Sequence, residues 1–126
     1  MGLSNSFLVF KATANILIEI QKASIFAMTS KTECFPMVLL EALACSTPIV
    51  SYDCPNGPRN IIDNNINGFL INDKNRQMFA KQLKLLIDNE NLRNQLSIHA
   101  KESSKKFDKR VIMQQWESLF ENLVSQ

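Results

Sequence analysis

TECFPMVLLEALACSTPIV, residues 32–50, is the stretch that decides the fold, because it holds an apolar helix followed directly by an apolar strand. The helix is predicted from Pro36 to Cys45, and proline is favoured in a first turn because its missing N–H would be unpaired there in any case. Glu41 lies in the middle of this helix, and Glu33 lies just ahead of it. Since a bare buried carboxylate is strongly unfavourable, Glu41 must have a partner or reach solvent.

Short apolar segments surround this helix. Strands are predicted at 24–30 (SIFAMTS), at 47–53 (TPIVSYD) and, after the turn at Asn67-Gly68, at Phe69–Ile71. Runs that are apolar on both sides are typical of parallel strands with helices on both faces of the sheet.

Helical spacing predicts further helices, at 12–23, shortly after Pro58, and at 76–89, 90–107 and 109–126. Two of the C-terminal helices carry apolar stripes that indicate core contacts rather than a cofactor site. The stripes are Phe79, Leu83, Leu86 and Ile87, and Ile112, Trp116, Leu119 and Leu123. This order of elements predicts an α/β fold, Rossmann-like and three-layered, with a small parallel sheet of about three strands. So small a sheet suggests half of a larger domain.

The composition restricts the class of protein. The chain has 126 residues, the size of one domain, and an apolar fraction of 45%, which is sufficient for one core. A net charge of +2 is too small to indicate nucleic-acid binding, and no apolar run is long enough to span a membrane. The apolar patch near the start has no basic segment ahead of it, so no signal peptide is predicted.

The cysteines do not indicate a metal site. Cys34, Cys45 and Cys54 include no C-x-x-C pair, and the single histidine, His99, lies far along the chain. Without a secretion signal, reduced thiols in a cytosolic protein are expected.

The start of the central helix lacks an evident cap. Phe35 precedes the helix and offers no oxygen to the free amides of the first turn. Unless Thr32 or Glu33 folds back to cap it, the N–H groups of Met37 and Val38 stay unpaired. A helix start with free amides and a positive dipole end is a ready site for an anion, commonly phosphate.

Glu41 points away from the leucine face of the helix. At about 100° per residue, one stripe is formed by Met37, Glu41 and Cys45, and another by Leu39, Leu40 and Leu43. Glu41 is therefore either held in a salt bridge or partly exposed, or it accepts hydrogen bonds from a ligand's hydroxyl pair. With Glu33 nearer the helix end, a ligand with an anionic centre and hydroxyls on both sides fits, and a nucleotide-sugar has that layout. Open α/β sheets also bind ligands beyond the carboxyl ends of their strands.

SKTECFPMVLLEALACSTPIVSYD, residues 30–53, resembles the donor-binding motif of the family-four retaining glycosyltransferases, which have the GT-B fold. Their hallmark is a pair of glutamates separated by seven residues, here Glu33 and Glu41. E-x-F-P, E-A-L-A-C and N-G-F-L-I follow one another in near-normal register, and the resemblance covers roughly Asn15 to the end. It implies that the chain is the C-terminal part of a GT-B donor-binding domain.

The resemblance implies a role for each motif residue. Glu33 would contact the transferred sugar at the catalytic centre, and Glu41 would hold the ribose hydroxyls of the donor. The diphosphate and sugar would meet the main chain of the helix start, at Cys34, Phe35, Pro36, Met37 and Val38. Transfer with retention of configuration is implied, with no metal and no other cofactor.

The sequence departs from the family pattern at three positions. Cys34 and Ser46 stand where glycine is usual, and Asn60 stands where glutamate is usual. The acceptor-binding domain, and the Arg and Lys that clamp the diphosphate earlier in the donor domain, have no counterpart in residues 1–126. Residues 1–126 are therefore expected to form a single incomplete nucleotide-sugar-binding domain, inactive by itself.

The implied partners are a nucleotide-sugar donor and a glycan or lipid-linked acceptor bound by a missing domain or a partner chain, in polysaccharide or glycoconjugate synthesis. UDP is favoured because DCPNGP, residues 53–58, resembles UDP-sugar users. A cytoplasmic location is expected. KESSKKFDKR, residues 101–110, indicates a solvated helix face, with contact to the inner face of an anionic membrane as the alternative.

Two other functions stay open. A nucleotide-sugar epimerase shares the GT-B architecture, although it needs acidic and histidine groups that the chain does not offer near the motif. A non-catalytic module, or one subunit of a split enzyme, is the other. Arg59 is either a substrate contact or, more commonly at such a position, an exposed loop arginine.

Overall fold

The computed structural model describes residues 7–125. The strands are β1 (Phe26–Met28), β2 (Ile49–Asp53) and β3 (Gly68–Asn72). The helices are α1 (Ile16–Lys22), α2 (Met37–Ala44), α3 (Arg76–Asp88), α4 (Glu90–Ser104) and α5 (Lys109–Val124), with 3₁₀ helices at Pro58–Asn60 and Lys105–Phe107. The predicted strands and helices are present in the predicted order, with most ends somewhat shorter than predicted and β3 one residue longer at each end.

The strands form one parallel sheet in the order β1-β2-β3. Phe26 pairs with Ile49, and Val50 pairs with Phe69. Because parallel strands end at the same edge of a sheet, the loops that follow β1 and β2 lie side by side. The sheet thus places the start of α2 next to the residues that follow Asp53. The predicted α/β class and the small parallel sheet are confirmed.

The sheet has an apolar core on each face. Alternate residues of β2 point to opposite faces, so that Ile49 lies in the first core and Val50 in the second. α1 and α2 cover the first core, and α3 covers the second. α4 contributes to both, with Ala100 in the first and Leu96 in the second. The architecture therefore has the predicted three layers.

The carboxyl end of α2 is closed by a Schellman turn around Ser46, whose φ is 60°. The N–H of Ser46 donates to the carbonyl of Leu43 at 3.0 Å, and the N–H of Thr47 donates to the carbonyl of Ala42 at 2.9 Å. Ser46 therefore adopts the left-handed conformation that glycine accepts without strain, which is a physical reason for glycine at this position. Cys34 is not among the described residues with positive φ, so its backbone conformation does not require glycine.

The prediction that the α5 stripe contacts the core is wrong. α5 has no buried residue, and Trp116 and Leu123 are 50% and 60% exposed. Ile87, assigned to the α3 stripe, is also 60% exposed, whereas Phe79 and Leu86 are buried as predicted. A stripe shows that one face is apolar but not what covers it, and among residues 7–125 little packs against α5. Its Trp116 instead stacks on Phe120, with ring centroids 5.7 Å apart.

No helix within residues 7–125 combines the length and the apolar character needed to cross a bilayer.

Candidate functional site

The start of α2 is open. Pro36 immediately precedes the helix with extended backbone angles (φ −72°, ψ 92°), so the helix begins at Met37, one residue later than predicted, and Pro36 rather than Phe35 is the N-cap. No side chain caps this end. The carbonyl of Pro36 accepts from the N–H of Leu39 at 2.9 Å. The N–H groups of Met37 and Val38 find no acceptor among residues 7–125, so the predicted pair of free amides is present.

Glu33 lies in the loop that joins β1 to α2, at the carboxyl edge of the sheet. The loop after β2 packs directly against it through the buried Gly57. A Cβ at Gly57 would lie 2.6 Å from Cδ of Pro36 and 3.3 Å from Cβ of Glu33, so no larger residue fits without movement. The close approach of the two loops fixes where Glu33 and the helix start sit relative to each other.

Cys54, the first residue after β2, is a buried thiol near Glu33. Cys54 is fully buried, and burial raises the pKa of its thiol, with the nearby Glu33 carboxylate adding to the rise. The thiol therefore stays protonated and acts as a small apolar group at this edge of the sheet.

Arg59 anchors the same loop. Its Nε donates to Oδ1 of Asp53 at 3.0 Å and its Nη2 donates to Oδ2 at 2.8 Å, a bidentate pair across the loop that follows β2. Hydrogen bonding to Asp53 raises the pKa of Arg59. Because the guanidinium is turned towards Asp53, we assign Arg59 to loop structure rather than to substrate contact.

Glu41 faces a groove of about 570 Å³ on the outer side of α2. The carboxylate takes part in no ion pair within residues 7–125, and the side chain is partly buried. Of the structural alternatives, partial exposure is therefore observed and the salt bridge is not. The opposite stripe of α2 is packed as predicted, with Leu39 and Leu43 fully buried, while Leu40 is only half-buried.

The remaining motif residues surround the helix start with different exposure. Cys34, Phe35 and Met37 are exposed, Val38 is half-buried and Pro36 is buried. Met37 and Glu41 line the groove beside α2, whereas Glu33 lies in the loop ahead of the helix, packed against Gly57. Their roles toward a ligand stay predictions.

Sequence reasoning missed the second wall of the groove. Lys101, Lys105 and Lys109 line it together with Phe107, whose ring meets Phe35 edge to face with centroids 6.4 Å apart. The three lysines are exposed, as the predicted solvated face requires, and they line the groove in addition. The sequence signal was the concentration of cations in residues 101–110, but their spacing could not place them, because Lys101 ends up in α4, Lys105 in the 3₁₀ helix and Lys109 at the start of α5.

No group of three or more His, Cys, Asp or Glu side chains within the described range 7–125 is arranged to hold a metal ion.

Comparison with known proteins identifies the family. The family model described as "Glycosyl transferases group 1" matches residues 1–103, so the chain belongs to this family. The chain is 35% identical over 126 residues to an exopolysaccharide phosphotransferase of Streptomyces coelicolor, covering 99% of this chain and 13% of that protein. It is 31% identical over 113 residues to the N,N'-diacetylbacillosaminyl-diphospho-undecaprenol alpha-1,3-N-acetylgalactosaminyltransferase of Campylobacter jejuni, covering 90% of this chain and 30% of that enzyme.

Solved structures support the same assignment. The crystal structure of HepE from Anabaena in complex with UDP superposes with a TM-score of 0.78 at 27% identity, over 90% of this chain and 31% of that one. The predicted resemblance to GT-B glycosyltransferases, as a C-terminal part of such an enzyme, is confirmed. The chain spans only 13% and 30% of the length of the two curated relatives named here.

Proposed function

We propose that this chain binds the nucleotide-sugar donor of a retaining glycosyltransferase, with a UDP-sugar as donor and a glycan or lipid-linked molecule as acceptor. The observation that carries the proposal is the open start of α2, where two main-chain donors lie between Glu33 and Glu41 without a protein acceptor in residues 7–125. A helix start of this kind binds phosphate through free amides and the helix dipole.

Glu41 is the proposed ribose contact. It lies four residues after Met37, which is about 6 Å along the helix axis at the standard rise. A diphosphate at the amides of Met37 and Val38 therefore leaves Glu41 within reach of the attached ribose. The carboxylate forms no ion pair within residues 7–125, and paired hydroxyls offer it two donors.

Glu33 is the proposed contact to the transferred sugar. It lies on the other side of the open amides, at the strand end, where ligands of open α/β sheets bind. The main chain from Cys34 to Val38 lies between the two carboxylates.

During transfer, negative charge develops on the leaving diphosphate, and amides already pointing at it stabilise that charge without further reorganisation. The proposed transfer requires no metal.

The relatives support the choice of donor and acceptor. The Campylobacter enzyme is named for transfer to an undecaprenol-linked acceptor, and a glycosyltransferase of amylovoran synthesis from Erwinia amylovora is 31% identical over 99 residues. HepE has been crystallised with UDP and with UDP-glucose. We therefore propose a role in polysaccharide or glycoconjugate synthesis, on the cytoplasmic side of a membrane, with the acceptor bound by a domain or chain outside residues 1–126.

Calorimetric titration with UDP, GDP and ADP tests the proposal. Glu41→Ala removes the ribose contact, and the loss of hydrogen bonds to a charged group weakens binding of the preferred nucleotide by about tenfold or more. Glu41→Gln keeps the size of the side chain and separates loss of charge from loss of shape. Glu117→Ala, an exposed carboxylate of α5, is the matched control and leaves the affinity unchanged. Equal affinities for wild type and Glu41→Ala would contradict the proposal.

A further inference from the structure

The last turn of α4 and the 3₁₀ helix after it run alongside α2 in the opposite direction. At one end, Nζ of Lys101 donates to the carbonyl of Ala44, the last residue of α2, at 2.7 Å. At the other end, the ring of Phe107 meets Phe35, just ahead of the open helix start. Residues 101–107 therefore lie along α2 from its carboxyl end to its amino end and form the far wall of the groove that Glu41 faces.

The three lysines of this wall differ in whether they already have a hydrogen-bond or ion-pair partner. Lys101 is used by the carbonyl of Ala44, and Lys105 pairs with Glu102 at 2.6 Å in an exposed contact. Lys109 takes part in no ion pair within residues 7–125. Exposed pairs such as Lys105 with Glu102 are weak, so the ammonium of Lys105 can leave Glu102 and bind an anion that attracts it more strongly.

The charges in the groove do not balance. Among the residues that line the groove, three lysines face two carboxylates, Glu41 and Asp108, which leaves one excess positive charge, while Glu102 pairs with Lys105 from outside the lining. Asp108 is also engaged, since its Oδ1 accepts from the N–H of Arg110 at 2.8 Å at the start of α5. The groove therefore combines a carboxylate for hydroxyl groups with ammonium groups for an anion.

We propose that Lys105 and Lys109 bind the phosphates of the nucleotide whose ribose Glu41 holds, so that the segment Lys105–Lys109 forms the second wall of the donor site. Leu17, Met37 and Leu40 line the same groove and provide an apolar surface for the base. This inference rests on the proposed function and adds residues beyond 103, where the family match ends. The two lysines supply, within this chain, cationic contacts that the helix start alone does not offer.

The test compares affinities for UDP and for uridine, which lacks phosphate, in the full chain. The variants are Lys105→Ala, Lys109→Ala, the double variant of both, and the conservative Lys109→Arg. The control is Lys84→Ala, which replaces an exposed lysine of α3 on the opposite face of the sheet. Lys101 is not substituted, because its hydrogen bond to the carbonyl of Ala44 holds the carboxyl end of α2. UDP affinity is measured by calorimetry and uridine affinity by NMR titration.

The double variant is expected to bind UDP about fivefold to tenfold more weakly, as two partly exposed charge-assisted contacts are lost. Uridine affinity stays at the wild-type value, Lys109→Arg keeps most of the UDP affinity, and Lys84→Ala changes neither. Added salt narrows the difference between wild type and double variant, because it screens exposed charges.

Two results would overturn the inference. The first is a UDP affinity of the double variant equal to that of Lys84→Ala. The second is an equal loss of affinity for UDP and for uridine in the double variant, which would mean that the lysines have only a structural role. If Glu41→Ala alone weakens UDP binding, the proposed function stands and the lysine assignment fails. If the wild-type chain binds none of UDP, GDP and ADP, the proposed function itself fails.

Discussion

Ser46 has a side chain at a turn position whose backbone conformation favours glycine. Its φ of 60° lies in the left-handed region, where a Cβ is strained, and the two hydrogen bonds of the Schellman turn hold it there. The family pattern has glycine at this position, and the geometry gives the reason. The serine is tolerated because the turn is secured on both sides, by α2 and by β2.

Ser46→Gly is therefore expected to stabilise the fold. Relief of the left-handed strain exceeds the extra chain entropy that glycine has when unfolded, and we expect a gain of about 0.5–1 kcal/mol in the free energy of unfolding. Urea denaturation measures it. Ser24→Gly, at a position without positive φ, is the control and should destabilise slightly. An equal effect of both substitutions would contradict the account of Ser46.

The placement of Glu33 ahead of α2 and of Glu41 within it could be predicted from the sequence because the evidence is local, while their contacts with a ligand stay predictions. A polar residue within an apolar helix, and a helix start without a capping side chain, are both visible in consecutive residues. The contact of Gly57 with Pro36 and the meeting of Phe107 with Phe35 were not predictable in the same way. Each joins segments far apart in the chain, and no spacing rule relates them.

At the scale of elements, periodicity predicted the helices correctly but not their surroundings. The apolar stripe of α3 packs into the second core through Phe79 and Leu86. The stripe of α5 has the same character, yet it remains largely exposed in the part of the chain that the structure describes. Apolar spacing measures how amphipathic a helix is, whereas burial depends on a partner surface that the local sequence does not contain.

Substitutions on the two kinds of stripe should therefore differ in cost. Leu119→Gln and Leu123→Gln exchange exposed leucines for a residue of similar helix propensity, so each is expected to change the free energy of unfolding by less than about 0.5 kcal/mol. Leu43→Ala, in the first core, is the contrasting variant and is expected to cost about 2–5 kcal/mol. Chemical denaturation of the three variants measures both. A cost above about 2 kcal/mol for either glutamine variant would mean that α5 is packed in solution.

At the scale of the whole molecule, residues 7–125 carry the proposed donor site on α2 and on the segment that runs beside it. The family is certain, while the chain spans only 13% and 30% of two of its curated relatives. The fold class and family could be predicted from the order of elements and the motif. What a longer protein does with this site depends on surfaces outside the described residues.

The isolated chain is expected to bind a nucleotide but to catalyse no steady sugar transfer. Donor binding and acceptor binding must hold the reacting atoms together, and without the second component the gain from proximity is lost. Incubation with labelled UDP-sugars and with glycan and undecaprenol-linked acceptors measures turnover, with UDP titration as the check that the site is intact. Sustained transfer by residues 1–126 alone would contradict this expectation.

The position of α4 has a consequence for how the molecule opens. It is the one helix in residues 7–125 that contributes to the cores on both faces of the sheet, through Leu96 and Ala100, which lie about one turn apart. Detachment of α4 would uncover both faces of β2 at once and would also release the carbonyl of Ala44 from Lys101. Amide hydrogens of β2 and of α4 should therefore exchange through a shared opening event, and the second wall of the proposed donor site should be lost in that same event.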